Sequence, residues 1–230
     1  MSKVVCVIAA HPDDEVLGCG GAMARYVSEG YSVHVLILAE GIMGRFIADE
    51  RKNLAHELAS LSLQAKKAHQ VLGTHTLEMH SFPDNRMDSV DLLDVIKVVE
   101  LFLERYQPHF VFTHHAGDVN IDHRIISQAV TAACRPLKAW INLEGVFLFE
   151  IPSNTEWQLP GTYPVFAPNF FVNIENQLHQ KLSSLACYAS EMRPFPHSRS
   201  YEAIEALAKW RGACAGFAAA EAFMIGRLRY

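Results

Sequence analysis

The sequence predicts one α/β domain, built on a mostly parallel, Rossmann-like sheet with helices on both faces. Apolar runs of strand length alternate with longer segments of helical periodicity. Glycine or proline punctuates most junctions between them. The chain has 230 residues, 50% of them hydrophobic and 20% charged, which is enough for one large core and too apolar for a disordered chain.

Residues 3–9 read as a buried strand, followed by a helix over 16–29 that closes at Gly30. Residues 31–39 form a second strand, and helical periodicity then runs from about Asp49 to Leu72, ending at Gly73. Thr74–Phe82 is a third strand, and Ser89–Tyr106 a helix stopped before Pro108. His109–His114 is a fourth strand, Asp122–Cys134 a helix, and Glu144–Ile151 a fifth strand. This β-α core fills residues 1–150; residues 151–230 should add an extended loop over 152–170, helices near 175–190 and 200–221, and a last strand at Phe223–Tyr230. No internal repeat or domain boundary interrupts 1–230.

Composition narrows the partners. The formal net charge is −5 and the basic residues are scattered, so nucleic acid is not expected. No apolar run reaches membrane-spanning length, and the first ten residues lack a signal-peptide layout. Five cysteines, odd in number and without a CxxC pair, suit free thiols in the cytoplasm. Twelve histidines favour imidazole as a metal ligand.

Two clusters carry the chemistry. The first, Ala10-His11-Pro12-Asp13-Asp14-Glu15, directly follows the first strand. Adjacent carboxylates repel one another, so a fold keeps them together mainly where a cation or proton relay uses them. The second runs from Thr113-His114-His115 through Asp118, Asn120 and Asp122 to His123, between the fourth strand and its helix. Both clusters belong at the carboxyl edge of the sheet, where open α/β folds bind ligands. His11, Asp14 and His123 would offer two imidazoles and one carboxylate, leaving an open metal position as in a catalytic zinc site. Asp13, pointing elsewhere than Asp14, would be the base that takes a proton from water. Taken singly, Asp13, Asp14 or Asp122 is more simply a helix cap, His114 or His115 a hydrogen-bonded strand end, and His34 and His109 structural. Those readings leave the coincidence of two His/Asp clusters on one edge unexplained.

With these residues in view, the chain resembles the PIG-L/LmbE-like family of zinc-dependent N-acetyl-sugar deacetylases. His11-Pro12-Asp13-Asp14-Glu15 and Asp122-His123 carry the resemblance. Asp84-Asn85-Arg86-Met87-Asp88, Asp118–His123, Thr155-Glu156-Trp157 and Pro196-His197-Ser198-Arg199-Ser200 resemble one bacterial branch. The resemblance implies an LmbE-like fold, one zinc per chain held by His11, Asp14 and His123, and Asp13 as general base. It further implies acetate release from a small N-acetyl amino sugar or conjugate, possibly nucleotide-linked, with a homo-oligomer left open. Many relatives carry histidine where this chain has Asn120, an amide that can donate to an oxyanion but cannot protonate an amine. The acid role then falls to Asp13 itself, or to His114 or His197.

Sugar recognition needs planar polar groups, for which Arg45, Asp84, Arg86, Asp118, Glu156, His197 and Arg199 are the candidates, with Trp157 an aromatic wall or lid. Gly18-Cys19-Gly20-Gly21 lacks the last glycine of a dinucleotide fingerprint, and carboxylates stand where pyrophosphate would bind. Gly212–Gly216 reads as close helix packing. Two alternatives remain: a mononuclear non-haem iron oxygenase, which also uses two histidines and a carboxylate, and a non-catalytic sugar-binding protein on the same fold.

Overall fold

Strand β1 (Val4–Ala9) is buried on both faces, which explains its unbroken apolar sequence. Val5 and Val7 enter one core cluster, Cys6 and Ile8 the other, as period-two alternation requires. In this computed structural model, residues 3–45, 54–137 and 142–229 are described.

The chain continues through α1 (Asp14–Ser28), β2 (Ser32–Ala39), α2 (Ala55–Leu72) and β3 (Thr76–Phe82). It then runs through α3 (Leu92–Tyr106), β4 (Phe110–His114), α4 (Ile121–Ala133) and β5 (Gly145–Phe149). The last part holds β6 (Phe170–Asn173), α5 (Leu178–Cys187), α6 (Tyr201–Ala215) and β7 (Ala220–Leu228). The expected start of the second helix at Asp49 lies outside the described residues.

One seven-stranded sheet has the order β3-β2-β1-β4-β5-β7-β6. The first five strands pair in parallel; β7 runs antiparallel to both β5 and β6. Side chains from α1, α2, α5 and α6 build one core cluster, and those from α3 and α4 the other. The molecule is therefore a single α/β domain with helices on both faces. Strand order reverses between β1 and β4, which makes a crevice at their carboxyl ends.

Helix α1 begins two residues earlier than the apolar pattern suggests, so Asp14 and Glu15 form its first turn. It is broken at Cys19 (φ −149°), and beyond the break the Glu221 carboxylate accepts the N–H groups of Gly21 and Ala22 at 2.9 and 2.7 Å. Lys181 Nζ balances that buried charge at 2.5 Å. The glycines serve packing: a Cβ on Gly18 would stand 2.5 Å from the Phe149 ring, and one on Gly21 2.7 Å from Ile174.

The C-terminal third departs most from expectation. Helix α6 ends at Ala215, because Gly216 turns left-handed (φ 78°), and after a bend over 217–219 the chain enters β7 at Ala220. The short edge strand β6, at the end of the expected loop, is an addition to the predicted elements. His34 and His109 are structural, as expected: His34 stacks on Tyr106 with centroids 3.9 Å apart, and His109 Nδ1 accepts the Val4 N–H at 3.0 Å.

Candidate metal centre and its cavity

The loop after β1 and the loop after β4 meet at the strand-order reversal, bringing together residues more than a hundred positions apart. Asp14 Oδ2 lies 3.2 Å from His11 Nδ1 and 3.1 Å from His123 Nε2. Asp14 and His123 are fully buried, and His11 is 8% exposed. Asp14 Oδ1 and His123 Nε2 are buried without a hydrogen-bond partner. Orphaned buried acceptors are costly unless something binds them, and a divalent cation among these atoms would satisfy both. The three residues also offer ligand atoms within 4.8 Å of one another. The donor set, two imidazoles and a carboxylate, therefore fits a metal ion.

Each imidazole is held from behind by carboxylates. His11 Nε2 is 3.0 Å from Asp122 Oδ2 and 3.0 Å from Asp84 Oδ1. His123 Nδ1 is 3.1 Å from Asp118 Oδ2. Such partners fix ring orientation and turn the opposite nitrogen toward the metal position. Burial lowers the affinity of both histidines for a proton, yet these carboxylates outweigh it: His11 titrates well above the ordinary range and His123 at about 9. For Asp14 burial favours the neutral acid, but His123 and His11 prevail and hold it well below the usual carboxylate range.

Asp13 points away from this trio. Its backbone sits at φ 115°, rare for a residue with a Cβ, and its N–H donates to Glu15 Oε2 at 3.1 Å. Glu15 is in turn held by the Tyr188 hydroxyl at 2.7 Å. Arg199 Nη1 donates to Asp13 Oδ2 at 2.7 Å. Burial pushes the Asp13 carboxyl well above its normal range, with Arg199 pulling the other way.

A polar cavity of about 240 Å³ opens over His11 and Asp13. Of the residues expected to bind substrate, Asp84, His197 and Arg199 line it, as does Asn120. Others fall elsewhere. Asp118 is 1% exposed, and its oxygens accept from Asn120 N and Thr155 Oγ1 and approach His123. Arg86 is exposed and stands outside the cavity lining, because its backbone enters the 3-10 turn at Met87–Ser89. Glu156 accepts the Ser153 N–H at 2.6 Å and faces a neighbouring cavity, while Trp157, 54% exposed, meets His197 edge-on. Arg45 closes a 3-10 turn after β2; its side chain lies outside the described set.

His114 lies behind the His–Asp–His set. It is fully buried, stacked on His123 with centroids 4.0 Å apart, and its Nε2 accepts the Ala10 N–H. Burial and the neighbouring His123 hold it well below the ordinary histidine range, so it carries no proton to donate from Nε2. Asn120, rather than Asp122, caps α4 by accepting the Asp122 N–H at 2.9 Å. Asp122 instead turns inward and gathers the N–H groups of Asn85 and Met87.

Sequence reasoning did not single out Ser153, Asn154, Glu191 and Arg193, which complete the cavity wall. The change of texture after Pro152 was the available signal, but nothing in it selects individual residues.

A buried His–Asp–His set that could hold a metal ion stands beside a separate aspartate, at the strand-order reversal of a parallel sheet. The family model described as PIG-L, GlcNAc-PI de-N-acetylase, matches residues 6–134, and this chain belongs to that family. It is 27% identical to a protein of Escherichia coli named uncharacterized deacetylase YaiS, over 82% of this chain and 91% of that one. It is also 27% identical to the 4-oxalmesaconate hydratase of Pseudomonas putida, over 82% of this chain and 74% of the relative. Among solved structures, a conserved protein from Thermus thermophilus superposes with a TM-score of 0.75 at 28% identity, covering 100% of this chain and 97% of that one.

Proposed function

We propose that this chain is a zinc-dependent deacetylase that removes the acetyl group from a small N-acetylated amino sugar or sugar conjugate in the cytoplasm. The observation that carries the reading is the pair of orphaned atoms, Asp14 Oδ1 and His123 Nε2, in a His11–Asp14–His123 set whose ligand atoms lie within 4.8 Å of one another, beside an independently held Asp13. The family's description as a GlcNAc-PI de-N-acetylase suggests the substrate class, and the name of the YaiS relative agrees with deacetylation. Free cysteines at all five positions agree with a reducing compartment, and no helix among the described residues is long and apolar enough to cross a membrane.

His11, Asp14 and His123 would hold the ion, leaving a position open toward the cavity. When bound, zinc would acidify water and polarise the acetyl carbonyl. Asp13 takes the proton of the attacking water, and the amide carbon becomes tetrahedral. Asn120 Nδ2 donates one hydrogen to Asn85 Oδ1 at 3.0 Å and keeps a second for the oxyanion. The departing amine recovers its proton from Asp13. His197 offers a second donor: its Nδ1 accepts the Arg199 N–H at 3.0 Å, which in the neutral ring puts the proton on Nε2. Products are acetate and a free amino sugar.

The test is an acetate-release screen over N-acetyl hexosamines and their conjugates with zinc-loaded protein. Release by the wild type, and release lowered by about 100-fold or more in an Asp13→Asn variant that still holds zinc, supports the reading; absence of release across the screen refutes it. The hydratase relative favours a second reading, in which the same base delivers water to the double bond of an unsaturated tricarboxylate. Loss of the conjugated-acid absorbance without acetate release would select it. Turnover that requires dioxygen would instead select the iron oxygenase.

A further inference from the structure

Arg199 precedes α6 by two residues, yet its guanidinium reaches back across the sheet edge to the loop after β1. Nη1 donates to Asp13 Oδ2 at 2.7 Å. Nε donates to Ser153 Oγ at 2.7 Å and approaches the Pro152 carbonyl at 3.4 Å. With the Asn154 amide oriented to satisfy both its atoms, its oxygen accepts from Arg199 Nη2 at 3.1 Å. One guanidinium thus ties together the β1–α1 loop, the segment after β5 and the loop before α6.

The two ends of this bridge share a backbone oddity. Asp13 has φ 115° and Ser153 φ 75°, both non-glycine residues at positive φ. Such conformations persist only where the surroundings over-determine them, and they cluster where a side chain must be aimed. Asp13 is pinned at its N–H by Glu15 and at Oδ2 by Arg199; Ser153 is pinned at its N–H by Glu156 and at Oγ by Arg199. Asp13 is thus anchored through Oδ2 while it lines the cavity.

We infer that Arg199 is a positioning residue for Asp13, and that it aims the base rather than binding the sugar. This deepens the deacetylase reading and rests on it. Arginine has five N–H donors in a fixed fork. Here one N–H on each of the three nitrogens already serves the protein, with four acceptors in all, so the protein sets the guanidinium's place and two of the five N–H groups remain. Removing it should therefore cost turnover and spare substrate affinity.

The experiment compares Arg199→Gly, Arg199→Lys and Ser153→Ala by steady-state kinetics and by crystal structures of the zinc-loaded proteins. Arg199→Gly should lose about 100-fold in kcat, the cost of a base misplaced by about 1 Å. KM should change little, and added guanidinium should restore part of the turnover by refilling the vacated site. Arg199→Lys and Ser153→Ala should show smaller losses in kcat, again without a rise in KM; they carry the test if the glycine variant does not fold. The structures should show the Asp13 carboxylate rotated from its wild-type position. A raised KM with kcat preserved would make Arg199 a substrate ligand and overturn the inference. So would an Asp13 that stays in place when Arg199 is removed. Because the structural readout needs no turnover, it decides the positioning role even if no acetylated sugar proves to be a substrate.

Discussion

Asp118 Oδ2 lies 3.1 Å from His123 Nδ1, while its other oxygen accepts the Asn120 N–H at 2.8 Å. One buried carboxylate thus fixes both the imidazole and the first turn of the helix that carries it. Asp118→Asn should keep the fold and weaken zinc binding by about 10–100-fold, the usual effect of losing such a partner. Competition with a chromophoric chelator measures it; unchanged affinity would mean that Asp118 serves only the loop.

The His123 titration gives a pH dependence of known sign. Its pKa in the folded, metal-free protein is raised from 6.5 to about 9, against burial, by Asp14 and Asp118. A group raised on folding contributes stability that is fully present below its unfolded pKa and disappears as pH rises through the folded one. The metal-free protein should therefore lose the His123 contribution between pH 6.5 and about 9. Zinc uptake near neutral pH should release protons, since the ligands must be deprotonated. Denaturation of the stripped protein across that range, and calorimetry in buffers of differing ionisation enthalpy, check the two statements.

Asp13→Asn keeps the shape of the side chain and its place beside Arg199 but removes the basic oxygen. Turnover should fall by about 100-fold to 10,000-fold, the range typical of a positioned acid–base group. Zinc content should stay at the wild-type level, because Asp13 contributes no atom to the His11–Asp14–His123 set. Loss of metal together with activity would contradict the division of labour between the two adjacent aspartates.

The glycines of α1 make a stability prediction independent of chemistry. Gly18→Ala places a Cβ 2.5 Å from the buried Phe149 ring, which must move. Overpacking of this kind typically costs about 1–3 kcal/mol. Urea denaturation should show a lower midpoint, while an unaffected midpoint would mean that the ring yields freely.

The edge that gathers the two His/Asp clusters is legible in the sequence for a physical reason. Strands buried on both faces must be apolar throughout, so β1, β2 and β4 announce themselves, and the polar residues directly after them can only lie at one sheet edge. His11, Asp14 and His123 follow from that placement. What escapes is set by contacts between distant segments. Nothing local tells that Asp118 points to His123 instead of substrate, or that His114 spends its lone pair on Ala10 N–H. The N–H groups freed beyond the kink at Cys19 are taken up by Glu221, some two hundred residues away. The alanines after Gly216 read as a continuation of α6 because alanine favours helix, while Gly216 and the pairing of β7 with β5 decide otherwise.

The central claim is best tested by titrating stripped protein with zinc while following acetate release from an N-acetyl hexosamine substrate. Activity should rise from none and level off at about one zinc per chain, as one His–Asp–His set requires. Acetate release by the metal-free protein, or an activity indifferent to added zinc, would contradict the account.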